Sequence, residues 1–252
     1  MLPEERLEKI IALLQEKKTI DNESLCSLLD VSISTVKRDL DLLEKRRVLR
    51  RTRGGAVLTK QANVYTPEVS YDVEAEAMAK AAEELIFDED RIFLSGNGTN
   101  FVLARNIASR FRGIVYTNNI NIMLEFLQQS PATVILLGGK VMLRHGSMDT
   151  DVSPVVANLD DVFVDKAFVQ PHGLSLRHGF FINTLEEKHL YDTLKKNAMH
   201  LYGIASNGTC DHVDRYHLGG LDYFSDLILA GNTPAGYGEA LMEAGVNIIR
   251  SL

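Results

Sequence analysis

Leu7, Ile10, Ile11 and Leu14 recur at three- and four-residue spacing ahead of Lys17 and Lys18, which predicts a helix with one apolar face and a positively charged end. Pro3 suits its first turn. Thr19-Ile20 reads as a short extended step, and Asp21 predicts the N-cap of a second helix with Leu25, Leu28 and Leu29 on one face. After a tight turn at Asp30-Val31, Ser32 predicts the cap of a third helix whose buried stripe is Val36, Leu40 and Leu43. Three helices with so short a turn between the last two are the helix-turn-helix pattern. In "VLRRTRGGAVL", two apolar ends enclose basic residues and a Gly54-Gly55 turn, predicting a small hairpin, a wing, beside the third helix. The winged helix-turn-helix is thus expected over 1–58, with the helix-turn-helix at about 20–44 and the wing at 48–58.

The periodicity lapses over 59–70, where Pro67 interrupts a polar stretch, and this predicts a linker. From residue 71 the pattern changes. Tyr71 to Ile86 predicts a helix, after which short apolar runs alternate with amphipathic segments. Ile92–Leu94 is followed by a helix through Leu103, Ile107 and Phe111, Ile114–Tyr116 by a helix through Leu124 and Leu127, and Val134–Leu137 by a Gly-Gly turn. Later strands are expected at Ala167–Val169, Leu201–Ala205, Leu227–Leu229 and Val246–Ile249. Short apolar strands alternating with helices predict a mainly parallel sheet, and so an α/β domain over 71–252.

Charge divides the chain at the same place. Residues 1–60 hold 13 Lys and Arg against 10 Asp and Glu, whereas the remainder holds 14 against 24. A basic module on an acidic body points to nucleic acid for the first part only. The basic residues concentrate between Lys37 and Arg53, eight of them against three acidic ones. A recognition helix offers its first turns to base edges and phosphates. This marks Ser32, Ser34, Thr35, Lys37 and Arg38 as candidates for DNA contact, with Arg50, Arg51 and Arg53 of the wing against the phosphate backbone. Asp39 is read as a residue that orients its neighbouring arginines. Cys26 and Cys210 form neither a disulfide framework nor a metal motif and are expected to be buried thiols. No apolar run reaches membrane-span length and the first residues are charged, so the expected location is the cytoplasm, with no membrane partner.

In open parallel sheets, ligands settle at the carboxyl ends of the strands. The loops expected there are rich in small polar residues: "SGNGTN", "TNN", "GGK", "PHG" and "SNGTCD". They supply N–H donors, hydroxyls, amides and one ammonium, chemistry suited to a small phosphorylated sugar or polyol. The candidate effector residues are Ser95, Gly96, Asn97, Gly98, Thr99, Asn100, Thr117, Asn118, Gly139, Lys140 and Gly173. No catalytic residue, metal ligand or cofactor is assigned. Asp149, Asp151, Glu186 and Glu187 could serve as bases, yet none sits in a recognisable catalytic loop, and the histidines lack the H-x-x-x-H spacing of a zinc site.

The segment "LLDVSISTVKRDLDLLEKRRVLRRTRGGAVL" resembles the DeoR-type bacterial transcriptional regulators, matching at Val31, Ser32, Thr35, Val36, Arg38, Asp39, Leu40, Arg51, Thr52, Gly54, Gly55 and Ala56. The body is similar too: "FLSGNGTN" resembles the family's phosphate loop, "YTNNINI" its Thr-Asn segment, and "DKAFVQPHG" its Asp-x-Ala-Phe run, with His172 where an aspartate is usual. Ser206 and Thr209 stand where the family has Asp and Lys. The resemblance implies a sensor domain similar to ribose-5-phosphate isomerase and a homo-oligomer, dimer or tetramer. It further implies a DNA operator as partner and, as function, a repressor of a carbohydrate operon released by a phosphorylated sugar or related metabolite. The rival readings are an isomerase-like enzyme, a protein-docking winged helix, and a regulator whose sensor pocket has lost its ligand.

Overall fold

A computed structural model describes residues 3–17, 19–45, 49–52, 54–58, 73–96, 98–144, 147–150 and 159–251. The expected linker, together with Arg53, Asn97 and Asp151, lies outside the described residues. The chain divides into two compact units, residues 1–66 and 67–252.

The first unit contains α1 (Pro3–Lys17), β1 (Thr19–Asp21), α2 (Asn22–Leu29), α3 (Ile33–Lys45), β2 (Leu49–Arg51) and β3 (Gly55–Leu58). Local chemistry sets the boundaries. The Asp21 carboxylate accepts the Ser24 N–H at 2.8 Å and starts α2. Asp30, left-handed at φ 51°, ends that helix by donating its N–H to the Cys26 carbonyl. Ser32 Oγ accepts the Thr35 N–H at 3.3 Å at the head of α3. Leu7, Ile10, Leu14, Leu25, Leu29, Val36, Leu40 and Leu43 close one core. Leu28, expected among them, is exposed, because α2 buries only the row through Leu25 and Leu29.

Strand β3 pairs antiparallel with both β1 and β2. At Gly55 the fit leaves no room for a side chain, since a Cβ there would stand 2.1 Å from the Ile20 carbonyl oxygen of β1. Gly55→Ala is therefore expected to unpair β1 from β3 and to cost about 2 kcal/mol, as overpacking does. Thermal unfolding checks this, and a variant melting like the parent would refute it.

The second unit is built on a seven-stranded parallel sheet. Its strands are β4 (Arg91–Leu94), β5 (Ile114–Thr117), β6 (Thr133–Leu136), β9 (Val164–Val169), β12 (Ala198–Ala205), β14 (Asp226–Leu229) and β15 (Asn247–Arg250), in the order β15-β14-β12-β9-β4-β5-β6. Helices α4 (Val73–Glu83), α5 (Gly98–Ile107) and α6 (Ile120–Gln129) belong to this unit, as do α7 (Leu185–Asn197) and α8 (Tyr237–Glu243). Adjacent residues of β4 serve two cores: Ile92 and Leu94 join Met78, Leu103 and Ile107, while Phe93 joins Leu190, Leu194 and Leu241. Burial on both sides is why Ile92, Phe93 and Leu94 read as an unbroken apolar run.

The chain runs from β4 to β5 and β6 on one side, then returns to place β9 on the other side of β4. The order reverses between β4 and β9, so their carboxyl ends flank the crevice where α/β sheets take ligands.

Several elements differ from expectation. Helix α5 ends at Ile107, leaving Phe111 buried beyond it, and Leu127 of α6 is exposed because Ile122 and Phe126 face the core. An unexpected hairpin, β7 (Val141–Arg144) and β8 (Ser147–Thr150), follows the Gly-Gly turn. A small antiparallel sheet joins β10 (Gly173–Ser175), β11 (Gly179–Ile182) and β13 (Tyr216–Gly219). Cys210 is buried and Cys26 only partly so. Among the described residues no helix is long and apolar enough to cross a membrane.

Candidate functional site

The capped end of α3 presents Ser34, Lys37 and Arg38 to solvent, together with Ile33, whose aliphatic side chain is 45% exposed. Ser32 is the hub of the cap: its hydroxyl lies 2.8 Å from Ser34 Oγ and 2.9 Å from Thr35 Oγ1. Asp39 does not orient the neighbouring arginines. It points inward, where both of its oxygens accept from Arg6 of α1, at 2.5 Å from Nε and 3.0 Å from the terminal nitrogen. The carboxylate holds Arg6 further into its charged state.

On the wing, Arg50 is exposed and Arg51 is half-buried. The Arg51 guanidinium pairs with Asp41 of α3, and its backbone N–H donates to Glu44 Oε1 at 2.7 Å. Arg51 therefore ties the wing to α3, and its charge is met within the chain rather than offered wholly to a phosphate.

In the second unit, the loop after β4 and the start of α5 carry Ser95, Gly96, Gly98, Thr99 and Asn100. Asn100 is fully buried, and its amide donates to the Ser95 carbonyl (3.0 Å), to Ser95 Oγ (3.2 Å) and to the Phe168 carbonyl at the end of β9 (2.8 Å). The Ser95 N–H also reaches the Phe168 carbonyl, at 3.2 Å. The loop is thus clamped across the switch point. Thr117 is likewise buried: its hydroxyl donates to the Leu94 carbonyl at 2.7 Å and accepts the Asn119 N–H at 3.1 Å. The side chains of Asn100 and Thr117 are engaged in building the rim.

Asn118 is buried beside Thr117, and Thr99 is buried under the loop. Gly139 and Lys140 are exposed at the turn into β7, and Gly173 is buried where β10 begins. Ser206 and Thr209 close a one-turn capping box, with their hydroxyls 2.9 Å apart and the Asn207 N–H bonded to Glu74. The two hydroxyls are turned on each other.

Three further groups lie at this rim: Asp149 and Glu187, which the sequence offers only as possible bases, and Tyr191, which the sequence reading passed over. Tyr191 of α7 is buried and donates to the Gln170 carbonyl after β9 at 3.0 Å. Burial, reinforced by Glu187 and Asp149, pushes its phenol well above the ordinary tyrosine range. Glu187 lies one turn before Tyr191 on α7, and its Oε1 is 3.2 Å from His172 Nε2, while Asp214 lies 3.8 Å from the other ring nitrogen. Asp149 reaches the loop from β8. The i, i+4 spacing of Glu187 and Tyr191 was a usable signal; for Asp149 there was none. Among the described residues no group of three or more His, Cys, Asp or Glu could hold a metal ion.

A family model described as the DeoR C terminal sensor domain matches residues 72–230, and one described as the DeoR-like helix-turn-helix domain matches residues 6–62. The HTH-type transcriptional repressor GlcR of Bacillus subtilis is 29% identical over 238 residues, spanning 93% of this chain and 90% of that protein. The HTH-type transcriptional regulator GolR of Listeria innocua is 30% identical over 204 residues, 79% and 77% of the two chains. The lactose phosphotransferase system repressor of Lactococcus lactis is 32% identical over 181 residues, 68% and 69%. Among solved structures, ribose 5-phosphate isomerase of Methanocaldococcus jannaschii aligns over 54% of this chain and 53% of its own, at 16% identity and a TM-score of 0.37.

Proposed function

Because the chain belongs to the DeoR family of transcriptional regulators, we propose that it represses a carbohydrate-utilisation operon and is released when a phosphorylated sugar or related metabolite enters the crevice beside β4 and β9. Its relatives are named as transcriptional regulators and repressors, not as enzymes. The observation that carries the reading is the solvent-facing row Ser34, Lys37 and Arg38 on a capped α3, joined through Arg51 to an adjoining wing.

In this reading Ser32, Ser34 and Thr35 contact phosphates, Lys37 and Arg38 reach base edges, and Arg50 and Arg53 approach the backbone from the wing. The effector's anionic group rests on the N–H groups of Gly96, Asn97, Gly98 and Thr99, near Asn118, Gly139, Lys140 and Gly173. Ser95, Asn100 and Thr117 shape that loop. The protein acts as a homo-oligomer, at least a dimer, so that two recognition helices meet two half-sites. Release requires the effector to bind unequally to the two arrangements of the DNA heads.

A gel-shift titration against the chain's own upstream DNA tests the proposal. Affinity is expected to fall steeply as salt rises, and Arg38→Ala is expected to lose roughly 1–3 kcal/mol of specific binding. Salt-insensitive binding, or an Arg38→Ala protein with the parent's affinity, would contradict it. Phosphorylated sugars added to the complex are expected to release the DNA.

A further inference from the structure

The β7–β8 hairpin is not part of the large sheet; it is stitched across the carboxyl end of β5. The Met148 N–H donates to Asn121 Oδ1 at 3.0 Å, and the Thr150 N–H to the Asn118 carbonyl at 2.8 Å. The Asn119 amide donates to Ser147 Oγ at 2.7 Å and to Asp149 Oδ1 at 2.8 Å. These bonds deliver one carboxylate to one place. A Cβ built on Gly96 would stand 1.8 Å from Asp149 Oδ1, so the carboxylate is seated directly on the turn that opens the Ser95–Asn100 loop. The residue at 96 must be glycine for Asp149 to sit there.

A negative group against a loop whose backbone N–H groups suit an anion is a conflict for any phosphoryl ligand. Two like charges at contact distance in a partly desolvated crevice repel strongly enough to change binding by a factor of ten or more. We propose that Asp149 is the specificity-determining residue of the effector site: its carboxylate competes with the effector's phosphoryl group for the same face of the loop, and binding lifts Asp149 and the β7–β8 hairpin away together.

An effector offering only hydroxyls has no charge with which to displace the carboxylate, so the hairpin stays closed over such compounds. Asn118 fits the same picture. It is only 6% exposed, its carbonyl is held by Thr150, and its side-chain oxygen has no hydrogen-bond partner among the described residues. Moving the hairpin would free that residue first. The inference rests on the crevice assignment made above.

The test uses the full chain and inorganic phosphate as probe. Calorimetric titration of the parent and of Asp149→Asn, which keeps the side chain's shape, is expected to give about tenfold tighter phosphate binding in the variant. Asp149→Ser provides a second uncharged variant should the first fold poorly. In the parent, phosphate is expected to speed hydrogen exchange at the Met148 and Thr150 amides. Phosphate bound equally well by parent and variants, or bound with no change in exchange at those amides, overturns the role of Asp149 alone. Phosphate bound by none of the three overturns both this role and the crevice assignment.

Discussion

Replacing Asp39 by alanine is expected to cost the amino-terminal unit about 3 kcal/mol and to abolish operator binding, while hydrogen exchange at β4 and β9 stays unchanged. The pair Arg6–Asp39 joins α1 to α3 and is nearly removed from water, with side chains 12% and 7% exposed. The substitution leaves the Arg6 guanidinium in that place without its counter-charge, and this penalty exceeds the Coulombic energy of an exposed pair. Arg6 retains some contact with solvent, so the lower end of the range for buried pairs applies. A unit of some sixty residues has about 3–9 kcal/mol of stability in all, so the loss is most of what it has. Native-state hydrogen exchange along α3 gives the readout. An Asp39→Ala protein that binds its operator like the parent would show that the pair is dispensable.

The second large effect is expected at Asn100. Asn100→Ala removes three donated hydrogen bonds at a fully buried position, leaving the Ser95 carbonyl without that donor and the Phe168 carbonyl with only the longer bond from the Ser95 N–H. Each buried acceptor left unmet costs about 1–3 kcal/mol, to which the small cavity adds; we expect about 3 kcal/mol. For a sensor unit of this size that lowers the melting temperature by roughly 6–12 °C. The effector response should disappear with it, because the clamp that sets the loop's backbone is gone. A variant that melts within a degree or two of the parent, or that still releases DNA on effector addition, would remove Asn100 from this role.

How far the sequence could be read depended on how local each signal was. Asp21 and Ser32 cap their helices with neighbours three residues away, so the helix-turn-helix was legible. The strands β4, β5, β9, β12, β14 and β15 were legible as short apolar runs, which in β4 and β14 reflects burial on both faces. The hairpin was not: Val141 and Leu143 are exposed, and the residues of β8 before Thr150 are only partly buried, so no apolar stripe marks it. The small sheet was missed for another reason. Phe180 finds its partner at Gly219, a pairing no local pattern announces.

The same contrast governs the site. Composition marked "SGNGTN" as a candidate ligand loop, but it could not assign roles within it. Asn100 turns toward β9 because of the Phe168 carbonyl, and Asp149 arrives through bonds to Asn118, Asn119 and Asn121. Both facts depend on which strands are neighbours. Tyr191 was passed over because α7 was not recognised as an element.

The clamp at Phe168 also bears on the order in which the protein is made. During synthesis β4, β5 and β6 leave the ribosome with their connecting helices well before β9, yet the Ser95–Asn100 loop takes its shape only when β9 slots in beside β4. Long-range strand insertion of this kind is slow compared with closing local turns. The amino-terminal unit, which leaves the ribosome earlier, is expected to fold first. A nascent chain is therefore expected to carry a folded helix-turn-helix unit for some time before the Ser95–Asn100 loop takes its final shape.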